Sequence, residues 1–374
     1  MNHAEEQPAD ATRTVSHSDR RVLNVISSTD RRGAELFGVQ LHESLTARNW
    51  QSEVVALWPG KAKPALALTA LGSRRNDPRS ARKLRRLASD GGIVIGHGSS
   101  SLPFGAIATY RNSGAFVYRS IGDPRFWGSS RVRRTRVGLA LRRAQAIVAL
   151  WPGAADFIAD TYGVDRSRVY VIPTGVETDN FHPTPPDQRI SARMAYGGAI
   201  DPTRPTVVYV GSLSAEKNPM AAVDAVAGLP DVQLIMAGTG PMVSQVAQRA
   251  RSVAAGRVHL LGSVTDPRPI YAMADVVLIP SRTEGIPAVA IEAALSGLPV
   301  VASRVGGLVD VVVDDQTGYL IDELTPESVA RTLDRALREG GSMGTVARER
   351  AVGRFELEHV VNQWTTMLAT IALT

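Results

Sequence analysis

The residues with the clearest chemical potential are two glutamates in the stretch SRTEGIPAVAIEAALSG, which spans residues 281–297. Glu284 precedes a Gly-Ile-Pro turn, and Glu292 lies near the second turn of a helix predicted over residues 288–296. The free amides at the start of this helix favour a phosphate group, and Gly285 places no side chain in front of them. Because carboxylates repel phosphate, the two glutamates fit better as acceptors for hydroxyl groups of the same ligand. A loop–helix junction with two solvated acids is the alternative.

Lys217 can supply the positive charge that balances such a phosphate. It follows the apolar run 207–210 in the loop GSLSAEKN, so it stands just beyond a predicted strand. Gly238-Thr239-Gly240 follows the next run, and glycines there permit either close approach of a ligand to the backbone or merely a tight turn. An ordinary surface lysine is the alternative for Lys217.

Twelve short apolar runs, alternating with helical patterns, predict the elements that must position these side chains. Six runs lie between residues 21 and 172, and six lie between residues 207 and 321. Runs this short and continuously apolar are typical of strands buried on both faces, as in parallel sheets covered by helices. The predicted fold class is therefore α/β, with two Rossmann-like domains whose ligand-binding edges face each other across a cleft.

The boundaries of these domains follow from composition. The polar start of the chain predicts a disordered N-terminal tail over residues 1–19. A proline-rich segment predicts a linker of limited flexibility over residues 184–205, with a short helix inside it. The predicted domains therefore span residues 20–183 and 206–352. Residues 353–374 form a C-terminal helix, whose apolar face packs on its own domain or crosses back to the N-terminal one.

Composition excludes several classes of protein and site. The chain has 374 residues and no Cys, which rules out disulfides, thiolate metal sites and thiol nucleophiles. It contains no apolar run of the roughly 20 residues needed to span a bilayer. Its polar start lacks the apolar core of a secretory signal. We therefore expect a cytoplasmic protein.

Positive charge is concentrated in the first half of the chain. Residues 1–180 contain 26 Lys and Arg against 16 Asp and Glu, a net charge of +10, whereas the remainder contains 16 against 20, a net charge of −4. Arginines cluster in residues 74–86 and 131–143, which favours an anionic membrane surface or an acidic acceptor, with a solvated surface as the alternative. Neither cluster contains an aromatic residue, so no nucleic-acid partner is predicted.

Five segments of the second half resemble, in their order, the second domain of the retaining GT-B glycosyltransferases of family 4: GSLSAEKNP, IMAGTGPM, EGIPAVAIEAALSGLPVVAS, VGGLVDVV and DDQTGYLI. In the first half, RRGAEL at residues 31–36 resembles the glycine-rich first loop of that family, and residues 149–183 resemble its lead-in to the second domain. The resemblance covers nearly the whole chain. It implies a GT-B fold with an acceptor-side N-terminal domain and a C-terminal domain that binds a nucleotide sugar.

The resemblance also implies roles for individual positions. Glu284 would contact hydroxyls of the transferred sugar, Glu292 would hold the nucleotide ribose, and Lys217 would neutralise the departing diphosphate. Gly33 would let the first loop approach the donor phosphate and the acceptor. The other positions assigned to the nucleotide-sugar site are Ser212, Gly238, Gly240, Gly285, Ile286, Pro287 and Ala288. No metal ion is expected, because no strand-flanked DxD site is evident and the resemblance implies a fold that usually works without metal. No cofactor is expected either, because the nucleotide-diphosphate sugar is a co-substrate.

The chain departs from the family pattern in both domains. Ser212 stands where an arginine is frequent, so Lys217 carries the diphosphate charge alone or with help from Arg282 or Arg304. The family histidine after a first-domain strand is missing, since the chain reads RSIGD there, and Asp123 is the nearest polar candidate for a catalytic role. His97 is either a substitute base or a turn histidine without a ligand role.

The predicted function is retaining transfer of a sugar from a nucleotide-diphosphate sugar to a hydroxyl of a glycan, a lipid-linked molecule or another cell-envelope acceptor. An anionic surface at the inner face of the membrane is a further predicted partner, reached through the basic N-terminal domain. A two-lobed, non-catalytic sugar- or solute-binding protein is the alternative. A dinucleotide oxidoreductase does not fit, because no G-x-G-x-x-G follows the first strand.

Overall fold

The apolar runs form two parallel sheets in the computed structural model, which describes residues 21–61, 64–128 and 130–373. The predicted tail, residues 1–19, lies outside the described residues. The strands of the first sheet are β1 (Arg21–Ser28), β2 (Gln51–Trp58), β3 (Ile93–His97), β4 (Ala115–Arg119), β5 (Ala146–Ala149) and β6 (Val169–Val171). They lie in the order β2-β1-β3-β4-β5-β6, and every neighbouring pair is parallel.

The second sheet also has six parallel strands, but in a different order. Its strands are β7 (Thr206–Val210), β8 (Gln233–Ala237), β9 (Val258–Gly262), β10 (Val276–Ile279), β11 (Val300–Ser303) and β12 (Gly318–Ile321). They lie in the order β12-β11-β10-β7-β8-β9, again with parallel neighbours. The predicted fold class, α/β with two Rossmann-like domains, is confirmed.

Helices connect the strands and cover both sheets. Those of the first half are α1 (Gly33–Ala47), α2 (Pro78–Leu87), α3 (Leu102–Ala108), α4 (Arg131–Leu141) and α5 (Pro152–Tyr162). Those that follow are α6 (Pro186–Tyr196), α7 (Pro219–Ala227), α8 (Val243–Val253), α9 (Arg268–Ala272), α10 (Ala288–Leu295), α11 (Leu308–Val311), α12 (Pro326–Glu339), α13 (Met343–Phe355) and α14 (Leu357–Ala372). Several begin at proline, which lacks only an N–H that the first turn leaves unbonded in any case. Within the described residues, none has the length and apolarity needed to cross a bilayer.

The C-terminal helix α14 belongs to the core of the first domain. The chain crosses over at Glu356, where the amide of Val176 donates to the Phe355 carbonyl at 2.8 Å and the Leu357 amide donates to the Val176 carbonyl at 3.0 Å. Trp364 of α14 is fully buried, with its ring centroid 6.4 Å from that of Phe37 on α1. The two domains are therefore tied together by two chain crossings as well as by their facing loops.

The helix inside the predicted linker, α6, is anchored to the second domain. Arg193 of α6 donates to Asp275 at 2.6 Å and to the backbone carbonyls of Met273, Pro202 and Arg204. This buried guanidinium thus has a carboxylate and three carbonyl partners, as a buried charge requires. The segment between the domains is consequently fixed on one side.

Candidate active site

The carboxyl ends of the two sheets face each other, and the loops beyond them touch. A Cβ atom added to Gly285, after β10, would lie 1.9 Å from the carbonyl oxygen of Ile121, after β4. A Cβ atom added to Gly307, after β11, would lie 3.0 Å from the ring of Trp151, after β5. Glycine at these two positions lets the domains approach to backbone distance.

Lys217 and Glu284, which come from different loops, form an ion pair. Lys217 Nζ lies 2.5 Å from Glu284 Oε1, and the same oxygen accepts a hydrogen bond of 2.7 Å from Ser281 Oγ. The side chain of Glu284 is 7% exposed and that of Lys217 is 29% exposed, so the lysine side of the pair is open to a ligand. The Arg282 amide donates to the Glu216 carbonyl at 2.8 Å and holds the two loops together. A buried carboxylate and a partly exposed ammonium group therefore stand side by side, and these are the two groups predicted to bind hydroxyls and phosphate.

The loop after β11 supports the backbone around Glu284. Gly306 has a φ of +54°, and a Cβ atom there would lie 1.8 Å from the Glu284 carbonyl oxygen. The Gly307 amide donates to the Gly285 carbonyl at 3.0 Å, and Ile286 is buried beside it. This packing sets the direction in which the chain enters α10 through Pro287.

A cavity of about 310 Å³ opens between the domains and is lined by three of the predicted residues. Gly33 lines it from the start of α1, whereas Ala288 and Glu292 line it from α10. Tyr271 donates its hydroxyl proton to Glu292 Oε2 at 2.7 Å and fixes that side chain. Burial raises the pKa of Glu292, and the Tyr271 hydrogen bond opposes this effect. Residues from both domains can therefore contact one ligand here.

The predicted catalytic residues Lys217, Glu284 and Asp123 are not among the described residues that line this cavity. The Asp123 carboxylate accepts hydrogen bonds of 3.0 Å from both the backbone N and the Nε of Arg125, and it caps the short 3₁₀ helix Pro124–Phe126. A catalytic role for Asp123 would require Arg125 to release it.

The other predicted positions shape the loops after β7 and β8. Ser212 accepts, through its carbonyl, a hydrogen bond of 2.8 Å from the Tyr209 hydroxyl. Burial and the charge of Glu284 raise the pKa of that hydroxyl, so it stays a donor. A Cβ atom on Gly240 would lie 2.5 Å from the Leu213 carbonyl oxygen, so glycine is needed for the two loops to pack.

Arg304, considered as a second cation for the diphosphate, and His97, considered as a substitute base, both interact with other residues. Arg304 pairs with Asp314 at 2.5 Å and with Asp322 at 2.6 Å, which neutralises its charge. The predicted place of His97 in a turn is wrong, because His97 is the last residue of β3. It is fully buried, and its Nε2 lies 3.1 Å from Asn24 Oδ1. Burial lowers the pKa of His97 well below its usual value, so it remains neutral.

Sequence reasoning passed over Arg119, the last residue of β4. Its side chain is buried, and Nη2 donates to Thr174 Oγ1 at 3.1 Å. The available signal was its type: a charged residue at the carboxyl end of an otherwise apolar parallel strand, where ligands bind.

A second pocket, of about 640 Å³, lies at the carboxyl edge of the first sheet. Asp30 and Glu35 contribute acids to it, and burial raises the pKa of Glu35. Basic side chains outnumber them in the lining: Arg32, Lys61, Arg74 and Arg75. Such an excess of positive charge favours an anionic ligand.

Another cavity, of about 650 Å³, lies at the opposite edge of the second sheet. Its lining includes Pro205, Asp275 and Pro299, which directly precede β7, β10 and β11. Ligands of open parallel sheets bind beyond the carboxyl ends of the strands, so the position of this cavity does not fit a substrate site.

Two family models match the chain, one in each domain. The model described as Glycosyltransferase Family 4 matches residues 31–180, and the model described as Glycosyl transferases group 1 matches residues 204–339. Together they cover well over half of the chain.

Individual proteins show the same similarity. D-inositol 3-phosphate glycosyltransferase from Mycobacterium sp. (strain KMS) is 37% identical over 207 residues, which are 53% of this chain and 46% of that protein. The chain therefore spans about half the length of such relatives. Alpha-maltose-1-phosphate synthase from Mycolicibacterium smegmatis is 30% identical over 257 residues, which are 63% of this chain and 64% of that protein. The crystal structure of Anabaena HepE in complex with UDP-glucose has a TM-score of 0.81 and 21% identity, and covers 94% of this chain and 99% of HepE.

Proposed function

The chain belongs to the group 1, family 4 glycosyltransferases with the GT-B fold, and we propose that it transfers a sugar from a nucleotide-diphosphate sugar to an acceptor hydroxyl, with retention of configuration. The cleft cavity is the observation that carries the proposal. It brings Gly33 of the first domain opposite Ala288 and Glu292 of the second. Glu284, which pairs with Lys217 of the loop after β7, stands in the loop that leads into the same helix.

Each of these groups has a task in the proposed reaction. The departing diphosphate gains negative charge, which the amides at the start of α10 and the ammonium group of Lys217 would stabilise. Lys217 has three N–H donors, so it can hold Glu284 with one and a phosphate oxygen with another. Glu284 would accept hydroxyl groups of the sugar, and Glu292, oriented by Tyr271, would accept those of the ribose. Retention requires the acceptor hydroxyl to attack from the face of the sugar that the diphosphate leaves, where a phosphate oxygen of the donor can take the acceptor proton.

UDP-sugars are the donors to test first. HepE, which shares the fold, was crystallised in complex with UDP-glucose. The choice of UDP concerns only the nucleobase of the donor, since a shared fold sets neither the sugar nor the acceptor.

We propose an acceptor that carries an anionic group on a glycan or a lipid-linked molecule. The names of both relatives above refer to a phosphate ester, D-inositol 3-phosphate in one and alpha-maltose-1-phosphate in the other. The first-domain pocket places Arg32, Lys61, Arg74 and Arg75 at the edge from which an acceptor would face the cleft. These side chains would attract a phosphate or carboxylate and orient the hydroxyl.

The surface formed by α2, α3 and α4 supports a further proposal, binding to an anionic membrane. Arginines of α2 and α4 are exposed there. Ile107 of α3, Val132 and Leu139 of α4, and Phe126 of the 3₁₀ helix that precedes α4 are each more than half exposed. Arginines that surround exposed apolar side chains suit a lipid surface, where both kinds of group find partners. A lipid-linked acceptor would be reached from this position.

Thermal-shift measurements with UDP, GDP and ADP test the donor site, because a ligand of the folded state raises the melting temperature. Release of nucleotide from a panel of nucleotide sugars then tests transfer. Saturable sugar binding without nucleotide release would favour the non-catalytic binding protein instead. Absence of both a thermal shift and nucleotide release across the panel would refute the proposed function.

Sedimentation with vesicles tests the membrane surface. We expect the protein to bind vesicles that contain anionic lipid and not neutral ones, and to be released by salt. Leu139→Glu should reduce binding, whereas Val346→Glu, which changes an exposed valine of α13, should not. Equal binding by both variants would remove this surface from the proposal.

A further inference from the structure

Arg119 is a buried cation with most of its hydrogen-bonding capacity unused. It is 1% exposed, and its Nη2 donates to Thr174 Oγ1 at 3.1 Å. Among the described residues, neither its Nε nor its Nη1 has a hydrogen-bond partner, and both atoms are buried. The guanidinium carbon lies 3.8 Å from the centre of the Phe37 ring, a stacking contact that leaves the N–H groups unbonded.

The other buried arginine described above, Arg193, shows what a structural guanidinium requires. It is 4% exposed and bonds to one carboxylate and three carbonyls. Arg119, in contrast, forms no ion pair in the part of the chain that the structure describes. Burial alone lowers the pKa of Arg119 to about 9, so the side chain is still charged at neutral pH. An uncompensated buried charge destabilises the fold, so the presence of Arg119 is better explained by a role in ligand binding than by a role in stability.

The surroundings of Arg119 point to the cleft cavity. Thr174, its one hydrogen-bond partner, and Phe37, its stacking partner, both line that cavity. Two helices also begin there, α1 at Gly33 and α10 at Ala288, and their free amides add positive potential. Arg119 itself is not among the described residues that line the cavity. Two helix N-termini at the cavity and a buried guanidinium in contact with two of its lining residues thus add positive potential from three different elements.

The acids that line the same cavity are engaged with other groups. Asp266 pairs with Arg268 at 2.8 Å, and Glu292 Oε2 accepts the Tyr271 hydroxyl. Glu177 accepts a hydrogen bond from Asn180 and stays at the exposed rim. These acids are therefore not the partners of Arg119.

We propose that Arg119 is the counter-charge for a phosphate group bound in the cleft cavity. The inference rests on the proposed function in that a nucleotide-diphosphate donor, or a phosphorylated acceptor, brings this phosphate. In the free protein Thr174 occupies one donor of the guanidinium. When the phosphate binds, its negative charge compensates the buried guanidinium. The phosphate either accepts hydrogen bonds from the guanidinium directly or contacts Thr174, which is bonded to it.

Arg119→Met separates this role from a structural one. Methionine keeps much of the volume and the contact with Phe37 and removes the unpaired charge. We expect the urea midpoint of unfolding to stay the same or rise, whereas affinity for UDP falls by about 10- to 100-fold. Affinity for uridine, which has no phosphate, should be unchanged. Arg193→Met is the control: it removes a fully bonded guanidinium and should lower the urea midpoint strongly.

The source of the phosphate is distinguished by a second titration, with D-inositol 3-phosphate as the probe. Loss of UDP affinity alone assigns Arg119 to the donor, and loss of D-inositol 3-phosphate affinity alone assigns it to the acceptor. Arg119→Lys restores the charge and should recover part of whichever affinity is lost.

Three results would overturn the inference. Unchanged affinity for both probes in Arg119→Met would refute it and leave the proposed function intact. A lower urea midpoint with equal losses for UDP and uridine would show that Arg119 is structural. If the wild-type protein binds neither UDP nor D-inositol 3-phosphate, the inference is refuted. In that case, the failure to bind UDP also counts against the proposed function.

Discussion

Replacing Lys217 by methionine tests the central ion pair, and the structure predicts two separate effects. The first effect is on stability. Lys217→Met leaves the nearly buried Glu284 carboxylate with only the Ser281 hydroxyl, 2.7 Å away. Breaking a buried pair costs about 3–5 kcal/mol, but Lys217 is 29% exposed and its charge is partly screened, so we expect a loss of about 1–3 kcal/mol.

The second effect is on turnover. If Lys217 neutralises the departing diphosphate, its loss should lower kcat by about 100- to 1,000-fold. The double variant Lys217→Met, Glu284→Gln removes both charges, so the buried carboxylate no longer lacks a partner. We expect it to regain most of the stability that Lys217→Met loses, because the two side chains are directly coupled.

Urea unfolding and nucleotide release, measured on the same preparations, distinguish the two effects. We expect stability to recover in the double variant while turnover stays low. Lys217→Met with the turnover of the wild type would refute the leaving-group role. Turnover that recovers together with stability would show that Lys217 only holds Glu284 in place.

Two further predictions concern the cleft. Burial raises the pKa of Glu292, so the folded protein keeps this proton to a higher pH than the unfolded chain does. Wild type should therefore lose stability relative to Glu292→Gln as the pH rises through and above about 4.5, the ordinary glutamate pKa, and a difference in urea midpoint that stays constant with pH would contradict the prediction. Gly285→Ala places a Cβ atom 1.9 Å from the Ile121 carbonyl oxygen of the facing domain. It should lower the free energy of unfolding by about 1–3 kcal/mol and reduce nucleotide release, whereas Gly353→Ala, with no atom within 4 Å of the added Cβ, should do neither.

The strands were predictable because the core of each parallel sheet is buried on both faces. The apolar runs 115–119, 146–149, 233–237, 276–279 and 300–303 predict strands that coincide with β4, β5, β8, β10 and β11, and all of these strands consist almost wholly of buried residues. The run 53–57 misses the first two residues of β2, because this edge strand starts with Gln51 and Ser52, which are polar and not fully buried. Apolar patterning therefore locates central strands better than edge strands.

The convergence of site residues was predictable in part. Parallel strands place the loops after β7 and β10 at one edge, so a meeting of Lys217 with Glu284 is consistent with the sheet order. The partner of Glu292 could not be read in the same way. Tyr271 lies on α9, 21 residues before Glu292, and its hydroxyl reaches Glu292 of α10 only in the folded chain. Side-chain pairs between helices depend on packing that local sequence patterns do not encode.

The burial of Arg119 could not be predicted from the sequence for the same reason. Its cover comes from α1, through Phe37, and from the region around α14, whose Trp364 packs on Phe37 and His97. These segments are distant in sequence and meet only because the chain returns to the first domain at its end. A buried charge that the fold satisfies, such as Arg193, is explained by the fold; one that the fold surrounds and leaves unpaired at the edge of a cleft is better explained by the ligand.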